Sequence, residues 1–209
     1  MKQILCFGDS NTWGYNGENR ERFPWGVRWT SLLQEKFAEN CMDVRIIEEG
    51  LVGRTTVFED PLRDGRKGTA LFPTILETHA PVDAIVLMLG TNDCKTIFKA
   101  SAKVIGAGIV RLLEQAKRLA PKAEILLVSP IELGTDVWKE EFDPEFSINS
   151  VAVSKALAPE YADIAGKYGC TYLDAVSVAA PGAADQEHMD AVSHGRLAES
   201  IYEKVKALV

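Results

Sequence analysis

The chain has 209 residues, 46% of them hydrophobic and 25% charged, which suits one soluble domain spanning residues 1–209 and excludes a disordered chain. Lysine and arginine number 23 against 30 acidic residues, a net charge of −7 that argues against nucleic-acid phosphates or anionic lipid as partners. The longest apolar runs, Ala84–Leu89 and Ile125–Val128, fall far short of the ~20 residues that cross a bilayer.

In chain order, Gln3–Phe7 reads as a buried strand that ends at Gly8. Val27–Phe37 places Trp29, Leu32, Leu33 and Phe37 at helical spacing, and Val44–Ile47 is a short second strand. A helical stretch, Leu71–Thr78, precedes Pro81. Asp83–Leu89 is apolar almost throughout, as a central parallel strand covered on both faces would be. Ser101–Leu119 carries an apolar face from Ile105 to Leu119 and stops before Pro121. Glu124–Ser129 is strand-like; Ser150–Tyr168 is helical, with a kink or broken start expected at Pro159. Thr171–Leu173 is a last strand, and Ala191–Leu208 a closing helix.

This alternation predicts parallel pairing through right-handed crossovers, hence an α/β fold: a three-layer α/β/α sandwich on about five strands, flavodoxin-like in type. Ligands of such sheets bind outside the carboxyl ends of the strands. The irregular segments Thr55–Gly68 and Pro130–Asn149 are long enough to shape a site. The N-terminus lacks the apolar core of a secretory signal, and Cys6, Cys41, Cys94 and Cys170 form no C-x-x-C pair. Free thiols in a reducing cytoplasm are therefore the expectation.

Four strand ends carry chemistry. Gly8-Asp9-Ser10-Asn11 puts a hydroxyl, and an N–H at a helix start, at the mouth of the sheet. Ser10 is equally suited to be a plain helix cap. Gly53 can bring a bare backbone N–H to an oxyanion, or serve as a turn glycine. Asn92, in Gly90-Thr91-Asn92-Asp93, can aim a neutral amide donor at the same mouth or close an Asx-turn. Near the C-terminus, Asp185 precedes His188 by three residues, a carboxylate placed to orient a general base. His79 reads as structural; His194 falls in the first turn of a helix that Asp190 is placed to cap. Nothing in the spacing of Asp185, His188, Asp190 and His194 supports a metal site, and no cofactor motif such as G-x-G-x-x-G is present.

Taken together these segments resemble the GDSL/SGNH hydrolase family. The stretches Ile4–Ser10, Thr12-Trp13-Gly14, Glu48–Leu51, Arg54–Thr56 and Met88–Asp93 are particularly similar to its arylesterase/acyltransferase branch. The resemblance implies a serine esterase acting on small acyl esters, acetyl or aryl in the branch's manner, with transfer to alcohols as a second outcome. It implies Ser10 as nucleophile, His188 as base and then acid, Asp185 as its partner, and Ser10, Gly53 and Asn92 as oxyanion donors. A carbohydrate O-deacetylase is the alternative within this chemistry; a non-catalytic flavodoxin-like module or a structural subunit are alternatives outside it. Asn11, Trp13, Tyr15 and Trp138 are candidates to line the pocket, and the branch's habit of forming oligomers makes a homo-oligomer an expectation. Two departures stand out: where the family often has Asp-Gly-x-His followed by Leu or Phe, this chain has Asp185-Gln186-Glu187-His188-Met189, with the acidic Glu187 beside the histidine, and the Glu18–Pro24 segment is shorter than in the arylesterase branch, which counts against its loop-built oligomer.

Overall fold

A computed structural model describes all 209 residues. Five strands, β1 (Lys2–Gly8), β2 (Val44–Gly50), β3 (Ala84–Met88), β4 (Glu124–Ser129) and β5 (Thr171–Asp174), form one parallel sheet in the order β2-β1-β3-β4-β5. The helices are α1 (Ser10–Trp13), α2 (Trp29–Glu39), α3 (Gly68–His79), α4 (Ala102–Leu119), α5 (Ile148–Lys155), α6 (Leu157–Tyr168) and α7 (Ala191–Val205). The sandwich predicted from the alternation of elements is the one observed.

The period of two along each strand divides the interior into two cores. Leu5, Phe7, Ile85, Leu87 and Leu127 face α3, α4 and α6, packing on residues such as Phe72, Ile109 and Tyr161. Ile4, Cys6, Val86, Leu126 and Val128 face α2 and α7, where Trp29, Phe37, Leu197 and Ile201 meet them. Both faces are buried, so the strands read as continuous apolar runs in the sequence. From β1 the chain winds first to β2 on one side and then to β3 on the other. That reversal opens a crevice at the carboxyl ends of β1 and β3.

Three of the differences from the sequence reading have a clear local reason; the others, such as a closing helix that ends at Val205 rather than Leu208, are shifts of one to three residues. β2 runs on to Gly50 rather than stopping at Ile47, pairing Glu48, Glu49 and Gly50 with Cys6, Phe7 and Gly8. The acidic residues hide the strand from a hydrophobicity pattern. The fold tolerates Glu48 because Arg28 grips it through Nε (2.7 Å) and Nη2 (2.9 Å). The helical region 150–168 is two helices broken at Ala156, with Pro159 in the first turn of α6, where its missing N–H is not needed. Finally, α3 extends from Gly68 to His79 through Pro73. Pro73 cannot donate to the Thr69 carbonyl, which instead accepts Gln115 Nε2 of α4 at 2.8 Å.

Candidate active site

Ser10 follows β1 at the head of the crevice and is 2% exposed. The choice between cap and free hydroxyl is decided by Asp9. The Asp9 carboxylate caps α1, accepting the Asn11 N–H at 3.0 Å. The Ser10 hydroxyl is thus not spent on capping. Gly8 is required just before it: a Cβ there would lie 2.0 Å from Thr12 Oγ1.

The segment after β2 lies beside this turn. Gly53 has φ +81°, the left-handed region that favours glycine. Arg54 is buried; its Nη1 donates to the Gly8 carbonyl at 2.8 Å and to that of Glu49, and its guanidinium lies 4.1 Å from the Phe7 ring centre. One side chain thereby ties the ends of β1 and β2 together. After β3, Asn92 donates Nδ2 to the Arg54 carbonyl at 3.2 Å, which fixes the amide and leaves its second N–H uncommitted. Asp93 braces the same two segments by accepting the Thr56 N–H at 3.0 Å and the Thr56 hydroxyl at 2.5 Å. Burial raises the Asp93 carboxyl to about 7 despite those bonds. In the sequence Asp93 carries no sign of this bracing role beyond its position beside Asn92.

The fourth segment precedes α7. His188 Nδ1 lies 2.7 Å from Asp185 Oδ2, and Asp185 Oδ1 also accepts the backbone N–H groups of Glu187 (3.1 Å) and His188 (2.9 Å). The carboxylate therefore shapes the loop as well as orienting the ring. Glu187 Oε1 is 3.9 Å from His188 Nε2. Burial works to lower the imidazole, but Glu187 and then Asp185 outweigh it and hold His188 above its ordinary range. Tyr15 packs on the ring, with centres 4.2 Å apart. Gln186 adopts φ +58°, the left-handed conformation that glycine enters most readily and that suits the glycine the resemblance expects at this place. Its carbonyl accepts the Gly134 N–H at 2.7 Å and its Oε1 the Asp136 N–H at 2.9 Å, which fastens the loop to the 130–149 segment.

Ser10, Gly53, Asn92, Asp185 and His188 all line one polar cavity of about 280 Å³. The four segments converge there. His188 Nε2 has no hydrogen-bond partner, and Ser10 Oγ is not bonded to it in this state. Of the four pocket candidates only Tyr15 reaches the cavity. Asn11 is buried and clamps the histidine loop instead: Oδ1 accepts the Met189 N–H at 2.9 Å and Nδ2 donates to the Glu187 carbonyl at 3.4 Å. Trp13 lies outside beneath Arg22, and Trp138 donates its indole N–H to Thr135; from the second long loop it is Phe142 that lines the cavity. The other histidines lie elsewhere. His79 pairs with Glu49 at 3.0 Å. His194 is fully buried, accepts the Trp29 N–H at the start of α2, and is lowered to about 4 by burial, so it stays neutral. Burial likewise pushes the Cys94 thiol far up and leaves it inert. A larger open groove between α4 and the α5–α6 pair, lined by Ser101, Lys103, Glu160 and Asp163, holds no histidine.

Fold and site together define a hydrolase whose reactive groups sit at the switch point of a parallel sheet. The chain belongs to the GDSL-like lipase/acylhydrolase family, whose model matches residues 6–195. It is a serine ester hydrolase of the GDSL/SGNH type. Similar solved structures include a carbohydrate acetylesterase family member from Sinorhizobium meliloti, 37% identical with TM-score 0.89 over 100% of this chain and 99% of that one. A second carbohydrate acetylesterase from that organism is 30% identical with TM-score 0.91, each chain covered over 100%. The inhibitor-bound aryl esterase of M. smegmatis is 31% identical with TM-score 0.90, again over 100% of both chains. Among curated proteins, none matches the chain.

Proposed function

We propose that the protein cleaves small acyl esters through an acyl-enzyme, with Ser10 as nucleophile and His188 as the base that becomes the acid. The observation that carries this is the convergence on one cavity of Ser10, Gly53 and Asn92 with a histidine whose Nδ1 is held 2.7 Å from Asp185. When an ester enters, Ser10 Oγ closes on His188 Nε2, a contact that tightens in the substrate complex. Nε2 takes the hydroxyl proton as Oγ attacks the carbonyl carbon. The oxyanion settles among the N–H groups of Ser10 and Gly53 and the free N–H of Asn92. His188 then returns the proton to the departing alkoxide. Water repeats the sequence on the acyl-enzyme, and an alcohol in its place gives acyl transfer.

Asp185 keeps Nδ1 protonated and stabilises the imidazolium. The polar lining of the cavity favours an acetylated polyol as one natural class of substrate, in keeping with the acetylesterase neighbours. Aryl acetates are the convenient assay. A cytoplasmic setting is in keeping with four free cysteines, and no helix is long and apolar enough to cross a membrane. The decisive experiment pairs fluorophosphonate labelling with hydrolysis of p-nitrophenyl acetate. Wild-type protein should be labelled at Ser10 and turn over the ester. Ser10→Ala should remain folded, escape labelling and lose nearly all activity; unchanged turnover would remove Ser10 from its role.

A further inference from the structure

Two of the cations that line the cavity have no partner within the protein. Arg20, Arg63 and Lys95 line it, in a chain whose net charge is −7. Two of the cations in this region are spent within the protein. Lys95 is buried against Glu145 with Nζ 2.5 Å from Oε2. Arg66 donates Nε to the Val52 carbonyl at 2.9 Å and Nη1 to that of Asp64 at 2.6 Å. Arg20 and Arg63 differ: neither guanidinium forms an ion pair or a hydrogen bond with any protein group, although each opens on the cavity. Arg63 lies against Gly53, since a Cβ at that glycine would be 3.0 Å from Arg63 Nη1. The lining also carries four acids, Glu141, Asp143, Asp185 and Glu187. Asp185 is bonded to His188, Asp143 accepts the Glu145 N–H, and Glu187 lies beside His188 Nε2. Neither Glu141 nor Asp143 comes within ion-pair distance of Arg20 or Arg63, so both guanidinium groups keep their donors free.

We propose that Arg20 and Arg63 select ester substrates bearing an anionic oxygen group, a carboxylate or a phosphate. A guanidinium presents a planar fork of donors matched to such groups. Arg63 stands beside the Gly53 N–H, so the charge it holds lies close to the reacting carbonyl. This inference rests on the esterase reading above and adds the chemical class of the substrate.

Two matched pairs of esters test it. p-Nitrophenyl hemisuccinate against its methyl ester places the charge on the acyl side; 4-acetoxybenzoate against its methyl ester places it on the alcohol. The measurement is the anionic-to-neutral ratio of kcat/KM in the wild type, divided by the same ratio in Arg20→Gln/Arg63→Gln. Both arginines are exposed, so the double variant keeps the fold. A quotient of about 10 or more is expected in at least one pair, the scale of a hydrogen bond to a charged group. The pair that shows it tells which side of the ester carries the anion. The wild-type preference should also fall in about 0.5 M salt, where screening shortens the reach of exposed charges. A quotient near one in both pairs overturns the proposal, as does an equal loss on both members, which would assign Arg63 to the oxyanion. Should no ester be turned over, the esterase reading fails instead. The anion site is then judged by calorimetry on Ser10→Ala, where 4-acetoxybenzoate must bind more tightly than its methyl ester.

Discussion

Residues with few partners and residues with many divide the work at this site. Ser10 and Gly53 contribute groups left unbonded, while the side chains of Arg54, Asp93 and Asp185 each make two or more hydrogen bonds and hold them in place. Asn92 does both, since one amide N–H is anchored on Arg54 and the other is free. Removing a single oxyanion donor costs ~10²–10³ in rate, so Asn92→Ala should lose that much in kcat on p-nitrophenyl acetate. His188 must be neutral to act as base, and the nearby carboxylate of Glu187 favours its charged form. Glu187→Gln withdraws that support, so the acid limb of kcat/KM should move to lower pH. A limb that stays in place, or moves up, would show that Glu187 does not govern the imidazole.

Elements are joined at this scale by side chains that replace missing backbone bonds. Pro73 leaves the Thr69 carbonyl without its helical donor, and Gln115 of the adjacent α4 supplies one. Gln115→Ala should therefore cost about 1–3 kcal/mol in urea unfolding, the penalty of an orphaned buried acceptor, with esterase kinetics unchanged. Asn11 plays a comparable part between α1 and the histidine loop, bonding to the backbone on either side of His188. The sequence shows Asn11 beside the serine and invites a substrate role. Only its contacts 176 and 178 residues away reveal a clamp.

Across the whole molecule, the groups buried behind the site give folding a definite pH dependence. Burial holds Asp93 near 7 and Asp9 near 6 in the native state, against an ordinary value of 3.8. Between about pH 4 and 7 the unfolded chain sheds these protons while the native chain keeps them, so stability falls as pH rises and levels off above 7. His188, also raised, acts in the same direction, since its contribution is complete below the ordinary histidine range and is lost as pH climbs through its native value. Asp185 is lowered and acts only in acid, where stability is lost as pH drops below the ordinary aspartate range. Melting temperatures at pH 5 and pH 8 should therefore decline upward, and Asp93→Asn should show the shallower decline. An equal slope in that variant would remove Asp93 as a source.

Much of the architecture was legible in the sequence because a doubly covered parallel strand must be apolar on both sides and a packed helix must repeat every three or four residues. Those rules depend on neighbours in the chain, and they located the sheet, its crossovers and the four strand ends. They failed at Glu48, whose charge masks a strand until Arg28 is placed against it, and they foresaw the break in the 150–168 region but put it at Pro159 rather than at Ala156. Which residue caps α1, which aromatic side chains reach the cavity, and which arginines are left without partners are relations between segments distant in sequence. They depend on the register of the strands and the path of two long loops, so only the folded chain could decide them.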